Sequence, residues 1–253
     1  MSKYETVLEV KQVSNSYKGK LEKKVLKDIN FKIHKGEIFG LVGESGSGKS
    51  TLANAVLGII DYNGEILIGG KNRKDYNRRE LSKQVQAVFQ DPTASLNPAK
   101  KVGWLLEEPL RVHKRGSVSE RIRRVDEMLE LIGLDTTYKK RRINELSGGQ
   151  KQRICIGIAL MLEPDLLIAD EATSALDVSV GAQILNLFKE LNERLNTSML
   201  FISHNLNVVY WLCDRIAVMS SGEIVECGEA QNIYYSPEHE YTQALLSSIP
   251  KLS

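Results

Sequence analysis

The stretch Gly43-Glu44-Ser45-Gly46-Ser47-Gly48-Lys49-Ser50-Thr51 constrains this chain more than any other. Its spacing is GxxxxGK[ST]. An apolar run, Ile38 to Val42, precedes it, and a helix-compatible run, Ser50 to Leu57, follows. The glycines let backbone N–H groups turn inward, and a helix N-terminus behind them adds partial positive charge. The pattern predicts a phosphate cradle in which Lys49 meets β- and γ-phosphates and the Ser50 hydroxyl ligates Mg²⁺, and thus points to a nucleoside triphosphate. A flexible Gly/Ser turn is the ordinary alternative, and the flanking strand and helix argue against it.

Asp165-Leu166-Leu167-Ile168-Ala169-Asp170-Glu171 supplies a complement. An apolar strand here delivers two carboxylates at its C-terminal edge, where α/β sheets bind ligands. Asp170 is expected to hold Mg²⁺, directly or through water, and Glu171 to polarise an attacking water as general base. Capping of the next helix at Thr173 or Ser174 is the competing use of these acids.

Composition narrows the classes. The 253 residues are 42% hydrophobic and 26% charged with a net charge of +2, which fits a globular α/β protein and makes no electrostatic case for a general nucleic-acid binder. The basic stretches Lys71 to Arg79 and Lys139 to Arg142 read as solvated loops. The longest apolar run, Ile154 to Leu162, falls short of the ~20 residues of a membrane span. Met1 to Glu9 lacks a secretion signal's apolar core. Cys155, Cys213 and Cys227 suggest neither a disulfide frame nor a zinc site, and a soluble intracellular protein is expected.

Period-two or continuous apolar runs predict strands at Val7 to Val13, Ile29 to Ile33, Ile38 to Val42, Glu65 to Ile68, Leu166 to Ala169, Met199 to Ile202 and Ile216 to Met219. Ser221-Gly222 reads as a hairpin turn. Helical periodicity marks Ile122 to Ile132 and Val178 to Leu195. Between Asp91 and Leu162 strand signals vanish. The pattern is an α/β sheet domain interrupted by a helical insertion.

Leu146-Ser147-Gly148-Gly149-Gln150 opens a second glycine-containing helix, a second candidate phosphate-facing N-terminus. One nucleotide has no obvious use for two such ends, unless the second faces a neighbour's γ-phosphate. At this point the sequence resembles the ATP-binding cassette (ABC) ATPases, whose signature is LSGGQ, over nearly the whole chain. Tyr17 matches the position that stacks on adenine. Gln90, in Val88-Phe89-Gln90-Asp91, matches the Q-loop that senses Mg²⁺ and γ-phosphate. Ser174-Ala175-Leu176-Asp177 matches the D-loop, and Ser203-His204 the switch histidine.

The resemblance implies a P-loop NTPase (RecA-like) α/β sheet core with an N-terminal antiparallel β subdomain and an inserted α-helical subdomain. It implies a single domain over 1–253: core 1–90 and 163–235, helical insertion 91–162 and tail 236–253. It implies catalytic roles for Glu171, His204 and Gln90. Nucleotide contacts would come from Tyr17, Gly43 to Thr51, Ser147, Gly148, Gly149, Gln150 and Asp177, and Mg²⁺ contacts from Ser50, Gln90 and Asp170. The ordinary readings of Tyr17, Gln90, His204 and Asp177, taken singly, are a packed aromatic, a strand-end hydrogen bonder, a structural histidine and a helix cap.

Phe89-Gln90-Asp91-Pro92-Thr93-Ala94-Ser95-Leu96-Asn97-Pro98 is similar to the FQDPxxSLNP of importers for dipeptides, oligopeptides and nickel, and Ser236 to Leu246 resembles their SPxHPYTxxLL tail. Asn205 stands where Asp usually follows the switch histidine, and Glu240 where the tail has Pro. Cys155, Gly157 and Ile158 replace the usual Ala, Ala and Arg. By resemblance the chain is the ATP-hydrolysing subunit of an importer for peptides, nickel or metal chelates, on the cytoplasmic face of the bacterial membrane. Its expected partners are a second ATPase subunit (a related non-identical chain, or a second copy), two integral membrane permease subunits and, through the complex, an extracytoplasmic solute-binding protein, with no nucleic acid. A soluble ABC ATPase acting on ribosomes or DNA is the alternative. A metabolic kinase has no role for LSGGQ.

Overall fold

The computed structural model describes residues 5–17 and 23–247, with the side chains of Tyr17 and Lys23 outside the described set. The adenine-stacking role expected of Tyr17 therefore falls outside it.

Strands β1 (Thr6–Tyr17) and β2 (Lys23–His34) pair antiparallel, with Val10 opposite Phe31 and Val13 opposite Ile29. Strand β3 (Ile38–Val42) enters the core and is followed by helix α1 (Lys49–Leu57). Strands β4 (Asn63–Ile68) and β5 (Lys71–Asn72) return to the first sheet, giving the order β2-β1-β4-β5. Helix α2 (Arg78–Gln84), fixed by a reciprocal Asn77–Glu80 capping box, leads into strand β6 (Val85–Val88).

Four helices fill the chain between β6 and the next core strand: α3 (Pro92–Ser95), α4 (Val102–Val112), α5 (Val118–Leu131) and α6 (Gly148–Leu160). Helix α5 starts at a Ser117–Glu120 capping box. The core resumes with β7 (Leu166–Asp170), α7 (Val178–Leu195), β8 (Ser198–Ser203), α8 (Leu206–Leu212), β9 (Arg215–Ser220) and β10 (Glu223–Glu229). Helices α9 (Ala230–Tyr235) and α10 (Glu240–Ser247) close the described chain. The expected hairpin is present: Ser221 and Gly222 have φ of 48° and 86°, the left-handed pair that a two-residue antiparallel turn requires. No helix among the described residues is long and apolar enough to cross a membrane.

The second sheet has six strands in the order β10-β9-β3-β8-β7-β6, parallel from β9 to β6 with β10 antiparallel at the edge. Its central strands β3, β7 and β8 are buried on both faces, and alternate residues feed two different cores. On the face toward the helical insertion lie Ile38, Val42, Leu167, Ala169, Met199 and Phe201. Phe39, Leu41, Leu166, Ile168, Leu200 and Ile202 point to the other face, against α1 and the antiparallel sheet. This two-sided burial is why these strands read as unbroken apolar runs rather than alternating ones.

Phe201 is fully buried and meets Phe188 of α7 edge to face, with ring centroids 5.9 Å apart. Its truncation in Phe201→Ala is expected to cost about 3–5 kcal/mol of stability, measured by denaturant unfolding, from lost transfer energy plus the cavity left behind.

Candidate active site

The parallel strands end together. Val42 of β3 pairs with Ser203 of β8, Asp170 of β7 with Ile202, and Val88 of β6 with Ala169. The segments following these ends carry the phosphate loop, Gln90, Asp170-Glu171 and His204, so four separate parts of the sequence converge on one carboxyl edge.

The loop meets α1 at Gly48, whose φ of 110° suits only glycine; a Cβ there would also stand 2.8 Å from Met219 Cε and 2.9 Å from the Val25 carbonyl. The N-cap of α1 is Gly48, which has no side chain to cap it, so the helix's first N–H groups are left for a ligand. From behind, the hairpin turn supports the loop: the Gly222 N–H donates to the Ser47 carbonyl at 3.0 Å, and the Lys27 N–H donates to the Gly222 carbonyl at 2.8 Å.

Lys49 is only 5% exposed and folds back into the loop. Its Nζ donates to the Gly43 carbonyl at 2.7 Å, to the Glu44 carbonyl at 2.8 Å and to Ser47 Oγ at 3.4 Å. Burial pushes its ammonium below the ordinary lysine range, and the carboxylates of Glu171 and Asp170 work against that shift. Thr51 is half-buried in the first turn of α1, while Glu44, Ser45 and Gly46 are exposed at the loop's tip.

Ser50 Oγ donates to Asp170 Oδ1 at 3.2 Å. Burial raises the Asp170 carboxyl above its usual range; the Ser50 bond opposes this, Glu171 reinforces it, and Lys49 opposes it more weakly. Glu171 has a left-handed backbone, φ 50°, held by its N–H on the Ile202 carbonyl at 3.0 Å. A non-glycine residue there costs about 1–3 kcal/mol, and such strain concentrates at sites that need a side chain aimed. Glu171 Oε1 lies 3.5 Å from His204 Nδ1. The acids thus face Ser50 and His204, whereas the next helix, α7, is capped by Asp177, whose Oδ1 accepts from the Val180 N–H at 2.9 Å.

A cleft of about 550 Å³ is lined by Ser45, Ser50, Gln90, Asp91, Asp170 and Glu171. A smaller one of about 280 Å³ lies against Glu171, Ser174, Asp177, Ser203 and His204. None of Ser147, Gly148, Gly149 and Gln150 lines either cleft. Ser147 and Gly148 are exposed, and Gly149 and Gln150 are half-buried. A Ser147–Gln150 capping box starts α6 here, with the Gln150 N–H on Ser147 Oγ at 3.3 Å and the Ser147 N–H on Gln150 Oε1 at 3.0 Å. At Gly149 a Cβ would sit 2.5 Å from Val180 Cγ1, so the signature packs directly on the start of α7.

Tyr138, which sequence reasoning missed, accepts a 2.9 Å bond from Gln150 Nε2 and so orients the last signature residue. No local pattern marked it, because the contact joins separate turns of the insertion.

The departures from the usual motifs have physical readings. Asn205 Oδ1 accepts from the Asn207 N–H at 3.0 Å, capping α8 as an aspartate would. Cys155 is buried with Sγ 3.8 Å from the Pro92 carbonyl, and burial pushes its thiol up to about 12. Gly157 is buried against Leu106, Met128 and Ile132, and Ile158 is half-buried. These positions belong to the interior of the insertion.

A parallel sheet whose strand runs into such a loop, with an acid pair two strands away, is the P-loop NTPase fold. The ABC transporter family model matches residues 26–174, and the model for the oligopeptide/dipeptide transporter C-terminal region matches residues 225–253. A putative peptide import ATP-binding protein of Brucella ovis is 46% identical over 231 residues, covering 90% of this chain and 73% of the relative. The oligopeptide transport ATP-binding protein OppF of Streptococcus mutans is 44% identical over 255 residues, covering 97% and 82%. Among solved structures, cbiO1 of Clostridium perfringens, part of the ABC transporter complex cbiONQ, has a TM-score of 0.83 at 30% identity, covering 92% of each chain. The ATP-binding cassette MJ0796, solved as a dimer in a post-hydrolysis state with ADP and Pi, has a TM-score of 0.78 at 33% identity, covering 88% of this chain and 98% of that one. The chain belongs to the ABC transporter family, and it is an ATPase of that type.

Since Asn205 acts as a cap, Asn205→Ala is expected to lower stability by about 1 kcal/mol while Asn205→Asp leaves it within a few tenths, as read from thermal unfolding of the two variants.

Proposed function

We propose that this chain is the ATP-hydrolysing subunit that energises a peptide importer, working as one half of a head-to-tail pair. The observation that carries this reading is a separation: the phosphate loop, Asp170, Glu171, His204 and Gln90 share one edge, while the exposed signature helix start lies outside their clefts. One chain then holds half of each composite site, and Ser147 to Gln150 complete the site of the neighbour.

ATP's phosphates lie along the loop N–H groups and the α1 N-terminus, with Lys49 turning from its backbone carbonyls toward the β- and γ-phosphates. The hydroxyl of Ser50 and carboxylate of Asp170 are hard oxygen donors set 3.2 Å apart, a set that suits Mg²⁺ completed by phosphate and water oxygens, with Gln90 in the same cleft. Ser50 and Asp170 would hold Mg²⁺ there, and the ion when bound would neutralise charge on the phosphates. Glu171 accepts the proton of the attacking water, and His204 donates a hydrogen bond toward the γ-phosphate. Phosphoryl transfer asks mainly for positioning and charge stabilisation, which these groups supply. Tyr17 stacks on the adenine, and Asp177 sits at the pair's interface.

Coupling uses a groove of about 520 Å³ beside Gln90, formed by Leu57, Ile59, Leu81, Val85 and Phe89. Ile59 and Phe89 are 63% and 40% exposed and give the groove apolar contacts for a partner. A short helix from one of the two membrane permease subunits fills it, holding the ATPase on the cytoplasmic face of the bacterial membrane. The peptide assignment follows the named relatives; nickel or a metal chelate is the other cargo. Closure around ATP and separation after hydrolysis drive alternating access in the permease. The second ATPase is a related chain or a second copy, and an extracytoplasmic binding protein delivers the solute.

Glu171→Gln is expected to bind ATP as the wild type does, to lower turnover by a hundredfold or more, and to accumulate a closed pair on size exclusion; unchanged turnover removes Glu171 from its role. In mixed pairs, Ser147→Arg on one chain is expected to abolish hydrolysis at the site whose phosphate loop belongs to the other chain. Loss at its own loop instead contradicts the head-to-tail arrangement. Stimulation of the reconstituted complex by a peptide-loaded binding protein, and not by nickel, tests the cargo.

A further inference from the structure

Hydrolysis as described leaves the tail, Ser236 to Leu246, without a task. The structure nevertheless holds this segment tightly. Glu226 of β10 accepts the Glu238 N–H on Oε1 at 2.8 Å and the His239 N–H on Oε2 at 3.3 Å. Gln243 Nε2 donates to the Pro237 carbonyl at 2.9 Å, and the Tyr241 N–H donates to His239 Nδ1 at 3.0 Å. Thr242 is fully buried, and Tyr241, Leu245 and Leu246 pack on the core that the parallel sheet shares with the insertion. Helix α10 is thereby docked on the cassette rather than trailing from it.

From that docked position one side chain reaches the phosphate loop. The Glu44 N–H donates to the Tyr241 hydroxyl oxygen at 3.2 Å, across 197 residues of sequence. The partner group is telling. Glu44 N–H and Gly43 C=O belong to one peptide unit, and Lys49 Nζ holds the carbonyl end at 2.7 Å. A single peptide at the mouth of the loop is thus fixed from inside by the lysine and from outside by the tail. The inner bond uses the ammonium that the phosphates draw upon, whereas the outer one uses a tyrosine hydroxyl. A glycine-rich loop binds anions well only when its N–H groups are already aimed, because ordering them on binding costs affinity.

We infer that Tyr241 is a positioning residue for the phosphate loop: its hydroxyl fixes the Gly43–Glu44 peptide and pre-organises the cradle for the nucleotide. This rests on the reading of Gly43 to Thr51 as the ATP cradle. The tail then has a role inside the cassette, supplying the hydroxyl that braces the phosphate loop.

The test is Tyr241→Phe in the full chain, which keeps the ring and removes only the hydroxyl. Losing one neutral hydrogen bond is expected to raise KM for ATP and the Kd for a non-hydrolysable ATP analogue about 2- to 10-fold. Turnover at saturation should stay within about twofold, because no group touching the reacting atoms changes. Amide exchange at Glu44 in the unliganded protein should speed up. Leu245→Ala, which removes packing from α10 while keeping the hydroxyl, separates positioning from general damage: it should lower the melting temperature while leaving KM for ATP within about twofold. Unchanged KM and Kd in Tyr241→Phe overturn the inference, as does a fall in kcat that matches the rise in KM. Lys49→Ala in the same titration distinguishes the two levels. If it loses ATP binding while Tyr241→Phe binds normally, the positioning role alone fails; if Lys49→Ala itself binds normally, the cradle reading fails.

Discussion

Burial of the parallel sheet on both faces is the constraint on which the rest of this molecule depends. Phe39 and Leu41 point one way from β3, Ile38 and Val42 the other, and neither side meets water. A polar side chain has no place along such a strand, so chemistry is confined to where strands end. The parallel direction of β3, β6, β7 and β8 then brings four ends to the same edge. The cradle, the acid pair, the glutamine and the histidine are neighbours because the core excludes them from everywhere else.

The same edge explains the electrostatic condition of the site. Lys49 and Asp170 are both held in surroundings that penalise their charges, and each is moved from its ordinary protonation range by burial first. The protein offsets this with local partners: carbonyls around the ammonium, a serine hydroxyl on the carboxylate. These partners are exchangeable. A polyanion with a divalent cation supplies opposite charges to both groups at once, so the site gains from filling beyond the contacts it makes with the ligand. The left-handed backbone of Glu171 belongs to the same economy, since its strain is supported by the neighbouring strand through Ile202.

Much of this was legible in the residues, and the boundary between readable and unreadable parts is physical. Strands β3, β7, β8 and β9 declare themselves because two-sided burial demands apolar runs. Helix α7 declares itself through eighteen residues of regular periodicity. Motif spacing places Lys49, Ser50, Asp170 and Glu171 at or just past a strand end, and the family resemblance adds His204. Strand β5 has only two residues and α8 seven, too few for a period to establish itself. The bond from Gln150 to Tyr138 and the seat of α10 are contacts between segments remote in sequence, set by how elements pack and not by any local pattern. Asn205, a departure from the usual motif, caps α8 through an Oδ1 acceptor that an aspartate would also offer.

The turn at Ser221-Gly222 carries a consequence for how this protein tolerates change. Tight two-residue hairpins on a surface usually accept extra residues, tags or whole inserted modules. This one is wedged between β2 and the loop, bonded to Lys27 on one side and Ser47 on the other. Its length is therefore set by the loop it braces, and an insertion there would displace Gly43 to Thr51 along with the turn.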